Sequence, residues 1–127
     1  MPHVILEGPV DIKQFLASYR PVVLKGPGEI LRLQHAYLST TADEVLLEAL
    51  AKEDGPPVRF LVQILVRGTA TTVKIYPGID PEKTAGVKKI IALIARLLKD
   101  QNPAVRYGTT NLKEFLLQDI DPLAFFK

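Results

Sequence analysis

The chain contains no cysteine among its 127 residues, which excludes disulfides, a thiolate nucleophile and thiolate metal sites. That usage fits a reducing compartment, and the cytoplasm is the expected location. Histidine is scarce too: His3 and His35 lie far apart without the short spacing of a metal site, so no metal is expected. Charge of one sign is also lacking. Sixteen basic residues against fourteen acidic ones leave +2, too balanced a field to attract nucleic acid. The densest basic cluster is Lys88-Lys89, with Arg96 and Lys99 further on.

Long apolar runs are missing. The stretch Ile90–Leu98 is interrupted by Arg96 and is far too short to cross a bilayer, so no membrane partner is expected. Val4-Ile5-Leu6 is too short for the apolar part of a secretory signal, and no basic segment precedes it. Neither GxSxG nor HExxH occurs, and LKGPGE lacks the ordered G-K-[ST] of a phosphate loop and reads as a turn. Asp43-Glu44 and Glu53-Asp54 are adjacent acids at turns, expected to be solvated rather than a catalytic pair.

What is present is an ordinary globular composition, 47% hydrophobic and 24% charged, which argues against disorder and suits a single α+β domain over residues 1–127. HVILE reads as a strand. Asp11 caps a short helix near 11–19 with the stripe Ile12, Phe15, Leu16 and Tyr19, and Pro21 stops it. A short strand then ends in a Gly-Pro-Gly turn, and ILRLQHAYLST reads as another strand. Residues 43–54 stay open. Ala, Leu and Glu favour helix with Thr41-Ala42-Asp43-Glu44 as a capping box, while the regular recurrence of turns favours strand, the preferred reading.

Residues 58–67 alternate clearly. Val58, Phe60, Val62, Ile64 and Val66 form one face; Arg59, Leu61, Gln63, Leu65 and Arg67 form the other. RGTA turns the chain into TTVKIY as a hairpin. A long helix is expected at about 81–99, with Asp80 as N-cap, Pro81 in its first position and the stripe Val87, Ile90, Ile91, Ile94, Leu97 and Leu98. Asn102-Pro103 ends it. A strand at 104–108 and a short helix near 110–118 complete the pattern. The expected fold is a mainly antiparallel sheet of about five strands, hairpin-linked in the middle and covered by that long helix.

Two functional readings follow. The first is a non-catalytic module that binds a protein partner or self-associates. It rests on Leu61 and Leu65, which make the second face of their strand more than a solvent face, and on Phe125-Phe126 in the tail, which need cover. The second starts from Pro2. Once Met1 is removed, its amine has an ordinary pKa of about 7.7–8.0, which apolar burial or a nearby cation lowers further. Such a group can move a proton between carbons beside a carbonyl, with an arginine holding the substrate's carboxylate. Arg32, Arg59 and Arg67 lie on predicted strands and are the candidates.

MPHVILE, together with Lys74-Ile75-x-x-Gly78-x-x-x-Glu82 at a strand-to-helix junction, resembles the carboxymethyl-hydroxymuconate isomerases of the tautomerase superfamily. The resemblance implies a trimer of β-α-β subunits, Pro2 as general base and no cofactor. Only Pro2 carries over residue for residue; Arg32 is the nearest candidate for the family's arginine by region. The chain departs from the pattern in two places. Pro21 shortens the first helix, and the region from Ile30 to Tyr76 holds more strands than the family needs.

Overall fold

The computed structural model describes residues 1–116. Their order is β1 (His3–Glu7), α1 (Ile12–Ser18), β2 (Val22–Gly26), β3 (Glu29–Leu38), β4 (Glu44–Lys52), β5 (Val58–Arg67), β6 (Ala70–Ile75), α2 (Ala85–Asp100), β7 (Arg106–Thr110) and α3 (Lys113–Leu116). All seven strands join one antiparallel sheet in the order β2-β3-β4-β5-β6-β1-β7. β2 to β6 form a meander, and β1 closes onto β6, with β7 outside it.

This corrects the expectation of about five strands beneath one covering helix. Seven strands at roughly 4.8 Å spacing span about 29 Å, more than a single helix can shield. α2 has sixteen residues and packs against β1, β6, β4 and β3. α1 contributes Ile12 and Phe15, and Leu112, just before α3, adds a further buried side chain to the same core.

The helix boundaries are corrected as well. α2 begins at Ala85 rather than 81, and its N-cap is Thr84, whose hydroxyl accepts the Val87 amide at 3.3 Å. Asp80 instead pairs with Lys83, and Pro81 is buried ahead of the helix. The last helix begins at Lys113 because β7 continues to Thr110, whose hydroxyl donates to the His3 carbonyl and accepts the Leu112 amide.

Residues 44–52 are strand. Their alternation separates Val45, Leu47, Ala49 and Ala51, all buried, from Glu44, Leu46, Glu48, Leu50 and Lys52 on the other side. Cross-strand register carries these faces through the sheet: Val45 opposes Ile64, Leu47 opposes Val62, and Ile64 opposes Val73. The core lies between this face and the helices. The stripe of α2, from Val87 through Ile90, Ile91 and Ile94 to Leu98, is fully buried there. α1 is held as its sequence predicts, with the Asp11 carboxylate accepting the Gln14 amide at 3.1 Å.

Candidate functional site

The helices pack on one face of the sheet. On the other, β4 presents Glu44, Leu46, Glu48, Leu50 and Lys52, and β5 presents Arg59, Leu61, Gln63, Leu65 and Arg67. The register sets Glu44 against Leu65, Leu46 against Gln63, Glu48 against Leu61 and Leu50 against Arg59. Each polar side chain therefore faces an aliphatic one. β3 adds Arg32 opposite Leu50 and Tyr37 opposite Leu46; β6 adds Thr72 and Lys74, and β1 adds Ile5. An ordinary solvated face alternates cleanly to polar residues, whereas this one keeps a leucine at every second position of its two central strands.

At its middle stands Gln63, on the fourth of seven strands. Leu46 and Lys74 oppose it on either side, and the residue is only 7% exposed. Its amide nitrogen donates to Glu44 Oε1 at 2.7 Å, while its amide oxygen has no partner. A buried amide oxygen stripped of water without a donor costs of the order of 1–3 kcal/mol. Arg32 Nε is likewise buried without a partner, towards the β3 edge of the face. Around them the charges are lightly engaged. Tyr37, 53% exposed, donates to Glu48 Oε2 at 3.4 Å, and Arg67 meets Asp43 at 3.1 Å. Partial desolvation and then the Glu48 carboxylate raise the Tyr37 hydroxyl above the ordinary phenol value. Thr41 and Ser39 hydroxyls, with Arg67, hold the Asp43 carboxyl below the usual range. A hollow of about 240 Å³ beside Leu61 is bordered by Gln34, Glu48, Arg59 and Ile79.

Two larger hollows lie at the ends of the hairpins, about 380 Å³ beside Lys25 and Lys52 and about 350 Å³ beside Pro56 and Pro57. Two of their acids already have structural work. Glu29 forms an ion pair with Lys89 of α2 at 3.0 Å. Glu53, expected to be solvated, accepts the Gly86 amide at 3.1 Å. Among the described residues no cluster of three or more potential metal ligands occurs, and no helix is long and apolar enough to cross a membrane.

Leu61 and Leu65 sit half-buried on the open face. Phe125 and Phe126 lie outside the described residues. Pro2 is buried just ahead of β1, and the Met1 carbonyl accepts the Asn111 side-chain amide at 2.7 Å. The fold does not bring Pro2 to the arginines. β1 neighbours β6 and β7, whereas Arg32 is on β3, four strands away and thus about 19 Å across the sheet. Arg67 opposes Ala70, which opposes Glu7 at the far end of β1; Arg59 is on β5, with β6 between. The cation in register with the start of β1 is Lys74, opposite His3.

Gln63 and Lys74 are the site residues that sequence reading missed. The available signal was Gln63 itself, a polar residue central in a strand whose same-face neighbours are leucines. Compared with family models, with curated proteins and with solved structures, the chain matches none.

Proposed function

We propose that this protein is a non-catalytic binding module whose working surface is the open sheet face centred on Gln63. The observation that carries this reading is the unpartnered Gln63 amide oxygen, nearly buried in the isolated chain and ringed by leucines. A face meant only for water has no need of Leu46, Leu61 and Leu65 around a desolvated amide. A face that docks on another protein uses both: apolar area for affinity and a buried polar group for register.

Site-specific photocross-linking tests this. A benzophenone amino acid at position 65 should give protein adducts in cells, lost when Leu61→Glu is added, with none from position 13 on the exposed side of α1. Equal yields from both positions, or adducts indifferent to Leu61→Glu, would overturn the reading.

A further inference from the structure

We infer that the occupant of the open face is a second copy of this chain, docked about a two-fold axis that runs along β5 through Gln63. The inference rests on the binding reading above and names the partner.

Symmetry and charge point to it together. A two-fold contact is self-complementary, and a residue on the axis meets itself. β5 is the central strand, with three strands on each side, so an axis along it superposes the whole face on its own copy. β4 of one chain then lies over β6 of the other. In register, Leu46, Gln63 and Lys74 stand at one level across the three strands. Lys74 of the second copy therefore comes over Leu46, between Glu44 and Glu48 of the first. The reciprocal contact places Glu44 and Glu48 of the second copy around Lys74 of the first. An axis across the strands sets the β4 acids of the two chains against each other, which disfavours it.

The axis also answers the unpartnered amide. Gln63 uses one N–H on Glu44, leaving its second N–H and its oxygen. Two Gln63 side chains meeting across the axis can exchange those groups, each oxygen accepting the other's free N–H. Leu61 and Leu65 flank the pair and shield it from water. Arg59 and Arg67 lie on the axis four residues to either side of Gln63, about 14 Å from it at the exposed ends of β5, where each comes over its own copy and Arg67 is already matched with Asp43. The five strands from β3 to β1 offer a plan area of about 600 Å², of the order of the ~800 Å² that each partner buries in a stable complex.

The test is the mass of the full chain in solution, by chromatography with light scattering, at concentrations up to about 100 μM, where a Kd of about 10 μM leaves the dimer dominant. Wild type should run at twice its 14.1 kDa. Lys74→Glu should be monomeric, and so should the double variant Glu44→Lys/Glu48→Lys, both with an unchanged far-UV spectrum. Mixing the two should restore the doubled mass as a heterodimer, because every inverted charge then meets its opposite. Leu65→Glu, which changes no strand pairing, should also be monomeric. A wild-type monomer throughout the range overturns the second copy, as do trimeric mass or a mixture that stays monomeric while each variant is folded. Position-65 adducts to a different protein would then leave the binding reading standing without the dimer; loss of those specific adducts as well removes both.

Discussion

The Glu53 carboxylate, in the turn after β4, accepts the backbone amide of Gly86 in the first turn of α2, 33 residues along the chain. A helix start leaves its first amides without internal partners, and a carboxylate there satisfies one of them and matches the positive end of the helix dipole. Gly86 also permits close approach, since a Cβ would lie 3.2 Å from the Ala51 side chain of β4. Sheet and helix are thus joined where the core begins.

Removing that cap should weaken the fold measurably. Glu53→Ala and Thr84→Ala are each expected to lower unfolding free energy by about 1 kcal/mol in urea titrations. Asp80→Ala should leave it nearly unchanged, because Asp80 is exposed and its partner Lys83 lies before the helix. Equal losses at positions 80 and 84 would contradict the start at Ala85.

The two faces of β5 should respond differently to truncation. Ile64 is fully buried against the helices, so Ile64→Ala should cost about 2–5 kcal/mol. Leu65→Ala, on the open face, should cost the monomer no more than about 1 kcal/mol. Urea unfolding of both variants, measured in a charge-inverted monomeric background, checks the assignment.

Two glycines should separate strain from crowding. Gly8 has φ +119°, and a Cβ there would stand 2.7 Å from the Ala104 carbonyl oxygen. Gly28, in the β2–β3 turn, has φ +74° with open space around it. Gly28→Ala is expected to lose about 1–2 kcal/mol for the left-handed backbone alone. Gly8→Ala adds a backbone clash, since the carbonyl cannot swing aside as a side chain would, and should lose about 3 kcal/mol. Thermal melts of the pair give the order directly.

Tyr19 predicts the alkaline limb. Burial, and then the Glu48 carboxylate, push its hydroxyl up to about 12 from 10, while it donates to the Gln34 carbonyl at 2.5 Å. A pKa raised by folding gives stability that is complete below pH 10 and lost as pH climbs towards 12. A rise from 10 to about 12 corresponds to at most about 3 kcal/mol, reduced by solvent screening. Unfolding free energy should therefore fall across that window, and the fall should be shallower in Tyr19→Phe. Tyr107, raised mainly by burial, contributes in the same direction and leaves a residual slope. Identical slopes in wild type and variant would exclude Tyr19 as the cause.

Much of the sheet was legible because a strand writes its two faces at period two. The alternation in 58–67 separated Val62 and Ile64 from Leu61 and Leu65, and the structure divides the same residues between core and open face. Residues 44–52 were harder. Their Ala, Leu and Glu content favours helix locally, and the ladders to β3 and β5 override that preference. The Pro2 proposal needed a catalytic arginine nearby, and only sheet order reveals that β6, β5 and β4 stand between β1 and Arg32.

By itself, the sequence determined which side chains share a face: the stripe of α2, the core side of β5 and the leucines on its back are all local periodicities of a regular backbone. Only the tertiary structure decided that β1 inserts between β6 and β7, that α2 starts at Ala85 under a distant carboxylate, and that Gln63, Leu46 and Lys74 stand level at the centre. Those outcomes depend on hydrogen bonds and packing between residues tens of positions apart, which no local pattern records.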